Sequence, residues 1–324
     1  MITLRAHARK LLQRQIDYLA FQKNFSINDT IAIFGSPRSG TTWLMELIET
    51  LPNYLTIFEP FNINWFPKVR MYDFGFRPYI NPKKNDHKMY EYLNKVFSGR
   101  IRSIEPLYNL NINNVYDRIK SNKIIVKFIR ANRIIPWISS KFKLKNIIYI
   151  TRHPCATISS QIKSNITGYN ILNPPKNIFP KKTELINEIK DIPEIVKIIN
   201  KINKLNKIET LSIIWAIDQY IPFKYQNKYN FYTISYEDLL LRGEETLKNL
   251  FHYIGYDDYI YVRKLLKNPS KVTLKSERSI VKLRKKQLFK WKYDLSIRQI
   301  KQIINILEKF NIFVTEQNYE INSL

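Results

Sequence analysis

Five short runs of β-branched and aromatic residues, each bounded by turn residues, punctuate the chain: 30–35 (TIAIFG), 54–58 (YLTIF), 123–129 (KIIVKFI), 146–151 (NIIYIT) and 230–235 (NFYTIS). Between them apolar residues recur at helical spacing over 40–51, 88–98, 132–140, 154–163, 208–227, 244–254 and 295–309. Strands that alternate with helices predict an α/β fold, a parallel sheet covered by helices on both faces. In such open sheets ligands bind beyond the carboxyl ends of the strands.

Two stretches break the alternation. Residues 62–122 are rich in Asn, Pro, Tyr and Arg, and 164–207 runs from NITGYNILNPPKNIFPKK into a Lys/Ile/Asn-rich amphipathic helix over 186–207. Segments this long inside a compact domain are functional or mobile, which marks both as insertions for acceptor binding or a lid. Residues 1–29 begin with a basic amphipathic helix, and the 324 residues together read as a single domain.

Composition narrows the chemistry. Fifty-three Lys and Arg against 27 Asp and Glu give a net charge of +26, which favours an anionic partner. The lysines are scattered, and Lys, Asn and Ile rise together, so a cationic site accounts for only part of the excess. The single cysteine, Cys155, excludes a disulfide framework or a Cys-based metal cluster, and the four histidines show no ligand spacing. No apolar run reaches the ~18 residues of a membrane span, and no signal-peptide core is present. The expectation is a soluble, cytoplasmic protein, with peripheral contact to an anionic surface left open.

The sharpest motif is FGSPRSGTTWLMELI, residues 34–48, which holds two of the seven glycines. A strand, the turn Gly35–Thr42 and then a helix gather backbone N–H groups and a helix dipole around one anion. Thr41 and Thr42 add hydroxyls. A nucleotide-triphosphatase loop carries Lys after its second glycine, with Ser or Thr next for magnesium; here Thr41 follows Gly40. Arg38, inside the turn, supplies a planar cation suited to a tetrahedral anion.

PRSGTTWL resembles the 5′-phosphosulfate loop of sulfotransferases that use 3′-phosphoadenosine 5′-phosphosulfate (PAPS). IIYITRHPCATISSQI is similar to their 3′-phosphate segment: a strand ending in Arg152, then a Pro-led helix with Ser160 eight residues after the arginine. YTISYEDLLLRGEETLKNLFHYIGY resembles the family's strand, Tyr-Glu-Asp turn and helix, with Tyr236 at the position near adenine. KKQLFKWKYDLSIRQIKQIINILEKF resembles the C-terminal Lys-Trp segment and closing helix. The resemblance covers roughly residues 30–60, 123–163 and 208–310. It implies a three-layer α/β sulfotransferase fold, a P-loop-like parallel sheet flanked by helices. It implies a cofactor site of Pro37, Arg38, Ser39, Gly40, Thr41, Thr42, Trp43, Arg152, Ser160, Tyr236, Ser279 and Lys290, with adenosine 3′,5′-bisphosphate (PAP) as product and no metal. Ser279 and Lys290 match positions of tyrosylprotein members at a shorter spacing.

For the reaction itself the resemblance points to Glu59, in LTIFEPF, 21 positions after Arg38 (59 − 38). Tyrosylprotein sulfotransferases carry a catalytic glutamate at that separation, and carbohydrate sulfotransferases have a strand ending in Glu-Pro. The Lys-Ser-His-like stretch of cytosolic members is missing. Glu59 is therefore the expected general base, and Lys127 the expected cation at the leaving phosphate or the sulfuryl group. The expected partners are PAPS and a hydroxyl or amine of a glycan, glycolipid or polar metabolite. Two other classes compete: a metal-dependent nucleotide kinase or triphosphatase with a degenerate loop, and a non-catalytic polyanion or nucleic-acid binder. The missing loop lysine argues against the first. The absence of a basic block or nucleic-acid motif argues against the second.

Overall fold

The computed structural model describes residues 23–72, 74–75, 77–101, 119–164, 182–202, 205–267, 284–315 and 319–321, together with positions 11, 15–16 and 18–20. The expected lid residues 165–181, Ser279 and residues 1–10 of the basic N-terminal helix lie outside them.

All five expected strands form: β1 (Ile31–Phe34), β2 (Tyr54–Phe58), β3 (Lys123–Phe128), β4 (Asn146–Thr151) and β5 (Tyr232–Ser235). They make one sheet in the order β2-β3-β1-β4-β5, and every neighbouring pair is parallel. β1, β2 and β4 are buried at every position, as strands covered on both faces must be.

Side-chain alternation then sorts the core into two layers. Ala32, Phe34, Leu55, Ile57, Val126, Phe128 and Tyr149 face helices α2 (His87–Phe97) and α3 (Ile135–Lys141). Ile31, Ile33, Ile125, Ile148, Ile150 and Ile234 face α1 (Thr41–Ile48), α8 (Tyr236–Leu241) and α9 (Gly243–Ile254). A third apolar cluster joins α4 (Pro154–Ser164), α5 (Lys182–Glu188), α6 (Pro193–Asn200), α7 (Lys207–Tyr225) and α10 (Ile297–Glu308).

The continuous helix expected over 186–207 is instead α5 and α6, because Pro193 lacks the N–H that would continue one helix and begins the next. α7 starts at a capping box, Asn206 with Glu209, an arrangement that contributes about 1 kcal/mol. It packs against α4, α10 and the turn Asn132–Ile134, so it runs behind the carboxyl ends of β1 and β3. A two-stranded antiparallel ribbon, β6 (Ile312–Val314) with β7 (Tyr319–Ile321), completes the described chain and was not anticipated. Among the described residues no helix is long and apolar enough to cross a membrane.

Candidate active site

The turn after β1 is built by two glycines. A Cβ on Gly35 would lie 2.7 Å from the Ile150 carbonyl and 2.6 Å from Ser39 Oγ, so the strand end admits no side chain. Gly40 has φ +100°, and its Cβ would meet the Tyr236 ring at 2.6 Å. Only glycine takes that backbone without strain, and α1 begins immediately after it. Within the turn Ser39 N–H donates to the Ser36 carbonyl at 3.0 Å. Arg38 itself is left-handed, with φ 71°.

Arg38 is where the two segments expected to hold the cofactor meet. Its Nε donates to Ser160 Oγ on α4 at 3.0 Å, and its carbonyl accepts from Arg152 Nη1 at 2.8 Å. The Arg152 guanidinium also lies over the Tyr236 ring, 4.3 Å from its centroid. Trp43 meets Tyr236 edge-on at 5.5 Å and belongs to the core layer under α1. Pro37 presents its carbonyl to Gln161 Nε2 at 2.8 Å. Ser39, Thr41 and Thr42 are buried around the turn.

Three buried polar atoms here have no hydrogen-bond partner: Ser39 Oγ, Trp43 Nε1 and Arg152 Nε. Native interiors leave few such groups. A cradle of backbone amides with two arginines and orphaned donors fits an anionic nucleotide. Lys290 precedes the short helix Trp291–Asp294, which packs on α4. There Trp291 stacks on His153 at 4.9 Å, and Asp294 accepts from Ser159 at 3.2 Å.

Across the sheet, β2 and β3 carry the second half. The ladder pairs Phe58 with Lys127, so Glu59 emerges just beyond the lysine. Lys127 Nζ reaches Glu59 Oε1 at 2.5 Å and lies 4.0 Å from the centroid of the Phe58 ring. Burial lowers the Lys127 pKa; the Glu59 carboxylate opposes that effect, and the charges of Arg130 and Arg38 reinforce it. Glu59 is also left-handed, with φ 52°. Two of the four described non-glycine residues with positive φ are thus Arg38 and Glu59, the pair singled out for chemistry. Such backbone costs about 1–3 kcal/mol and persists only where the surroundings over-determine it.

A buried ion cluster behind the loop was missed. Asp218 on α7 pairs with Arg77 and, at 2.9 Å, with Arg133, which continues to Glu188 at 2.8 Å. Asp218 also accepts from Ser36 Oγ at 3.3 Å. Its only sequence signal is one carboxylate inside an otherwise apolar helical stretch, SIIWAIDQYI. Among the described residues, no group of three or more His, Cys, Asp or Glu side chains is placed to hold a metal ion.

Comparison with known proteins identifies the family. No curated protein matches the chain. Solved structures with a similar arrangement include the sulfotransferase domain of the Synechococcus PCC 7002 olefin synthase (16% identity, TM-score 0.47, 89% of this chain and 96% of that one). They also include the sulfotransferase domain from the curacin biosynthetic pathway (16%, TM-score 0.44, 86% and 96%). A third is mouse sulfotransferase SULT7A1 complexed with PAP (16%, TM-score 0.45, 90% and 88%). At that level of likeness the assignment rests on the domain model, described as the sulfotransferase domain, which matches residues 28–312. With the match spanning the whole five-stranded sheet, this chain belongs to the sulfotransferase domain family.

Proposed function

We propose that the protein transfers the sulfuryl group of PAPS to a hydroxyl or amine of a glycan, glycolipid or polar small metabolite, with Glu59 as general base. The observation that carries this reading is the double convergence at the carboxyl edge of the sheet. Arg38, Ser160 and Arg152 meet on one side of it, and Lys127 grips Glu59 on the other.

PAPS, when bound, supplies an activated sulfuryl group on a phosphate leaving group. The residues that would hold it are the Ser36–Thr42 turn and the α1 N-terminus for the 5′ anion, and Arg152 with Ser160 for the 3′-phosphate. Trp43 and Tyr236 would flank adenine. Lys290 and Ser279 would complete the site, by the resemblance noted above. Arg38, Arg152 and Lys127 provide fixed positive charge where other phosphate-loop proteins recruit magnesium, so transfer is expected to persist in EDTA.

Glu59 keeps Oε1 on Lys127 and offers Oε2 to the acceptor's proton. A free alcohol is far too weak an acid to lose its proton to a carboxylate beforehand, so the proton moves as the new bond forms. When Glu59 takes the proton its hold on Lys127 weakens, and the ammonium becomes available to negative charge developing beside it. The expected acceptor region is 62–122 and 164–207, whose described parts include Trp65 against Phe58 at 5.3 Å, next to Glu59.

Calorimetry with PAP and with ATP–magnesium tests the cofactor. Mass spectrometry of candidate acceptors incubated with PAPS, with and without EDTA, tests the transfer. Tight PAP binding and gain of one SO₃ in EDTA are expected. Indifference to PAP alongside avid ATP–magnesium binding would sink the reading.

A further inference from the structure

The loop that seats the anion is tied down from behind, residue by residue. Ser36 Oγ donates to Asp218 Oδ2 at 3.3 Å and accepts from Asn132 Nδ2 at 3.2 Å. The Pro37 carbonyl accepts from Gln161 Nε2 at 2.8 Å, and the Arg38 carbonyl from Arg152 Nη1 at 2.8 Å. Gln161 and Asp218 are almost wholly buried, at 4% and 1% exposure, on α4 and α7, which pack on each other.

These ties fall on the peptide units either side of Arg38. In a trans peptide the carbonyl and the following N–H point in opposite directions. Holding the Pro37 carbonyl on Gln161 therefore fixes the Arg38 N–H away from α4. An arginine at φ 71° relaxes unless its neighbours forbid it, and here both flanking carbonyls are held. Asp218 is in turn immobilised by Arg77 and Arg133 and by Tyr149, whose hydroxyl donates to the Asp218 main-chain carbonyl at 2.8 Å. Arg77, Arg133, Asp218 and Glu188 balance as two positive and two negative charges. Such a cluster brings no net charge to a ligand. It meets the loop at Ser36, through Asp218.

We propose that Gln161 and, through Ser36, Asp218 are positioning residues that preorganise the loop for the 5′-phosphate end of the nucleotide without touching it. The proposal rests on the reading of this loop as the phosphosulfate seat. An ordered loop leaves less entropy to lose on binding, so the gain appears as affinity.

Asp218→Asn would remove a buried carboxylate that pairs with both Arg77 and Arg133, so two gentler variants test the idea. Ser36→Ala cuts the tie to Asp218 and leaves its ion pairs in place. Gln161→Met keeps the volume and removes the donor. Each variant and the wild type are titrated calorimetrically with PAP and with adenosine 3′-phosphate, which lacks the 5′-phosphate. Each variant is expected to bind PAP about tenfold more weakly, the order of one lost hydrogen bond and some loosening, while adenosine 3′-phosphate binds unchanged. Equal weakening of both ligands would make the ties general supports of the fold and overturn the proposal. Undiminished PAP affinity in both variants would overturn it too. A wild type that ignores PAP overturns the cofactor reading itself and this inference with it.

Discussion

Lys127 holds Glu59 twice: its ammonium lies 2.5 Å from the carboxylate, and its main-chain carbonyl accepts from the Glu59 N–H at 2.8 Å. The grip spans adjacent strands and fixes a left-handed glutamate next to Pro60. A carboxylate so constrained has little freedom to swing, which suits the proposed role of general base. Glu59→Gln keeps the shape and removes the basicity, so turnover should fall by about 10²–10⁴ while PAP affinity stays near wild type. The variant leaves a buried ammonium without its anion, so a melting curve first sets a temperature at which it is folded. Wild-type turnover in folded Glu59→Gln would remove it as the base.

Arg152 links the turn to the segment assigned to the 3′-phosphate. Arg152→Ala should weaken PAP binding about 10- to 100-fold, the scale of charge-assisted hydrogen bonds. Adenosine 5′-phosphosulfate, which lacks the 3′-phosphate, should lose far less, only what the freed Arg38 carbonyl costs. Equal losses in a competition assay would contradict the assignment.

Gly40 tests the cradle's shape. An alanine there has to adopt φ near +100° and push its Cβ into the Tyr236 ring, 2.6 Å away. Gly40→Ala should lose about 1–3 kcal/mol of stability in urea unfolding, together with measurable PAP affinity. An alanine variant that unfolds and binds like wild type would show the ring yields freely.

His153 gives the protein an acid-side weakness. Burial pushes its imidazole from 6.5 down to about 4; the charges of Arg152 and Lys292 add to the drop, and the hydrogen bond with the Thr315 carbonyl opposes it. The folded state keeps the ring neutral while the unfolded chain protonates near 6.5. Its stabilising contribution is therefore complete above about pH 6.5 and is lost as pH falls towards 4, amounting to about 3 kcal/mol at full loss. Glu237, which accepts from the His153 main-chain N–H at 3.0 Å, runs the other way, since burial raises its pKa. His153→Phe should preserve the stack on Trp291 and flatten the fall in stability between pH 6.5 and 4, measured by urea titration. An unchanged slope would acquit the histidine.

Local signals carried the sheet and the loop, and geometry supplied the rest. TIAIFG and NIIYIT announce strands because their burial on both faces is written in consecutive apolar residues. Gly35 and Gly40 mark the turn because no other residue fits where they stand. Gln161 and Asp218 left no comparable trace. Each is a polar residue within a helical stretch, and its meaning comes from a partner more than a hundred positions away in sequence. The left-handed backbone of Arg38 and Glu59 was equally silent, since neither residue favours that conformation on its own. The break between α5 and α6 is legible at Pro193, against the continuous apolar spacing around it.

The strand order sets one boundary on what can change. β1 and β4, adjacent at the centre, deliver Arg38 and Arg152, whereas β2 and β3 at one margin deliver Glu59 and Lys127. The chain between β2 and β3 leaves and re-enters the sheet on that margin alone. Under the proposed acceptor role, exchanging that excursion between homologues is expected to redraw which molecules are modified, and the chimera keeps its nucleotide grip where Arg77, which pairs with Asp218 behind the loop, travels unchanged.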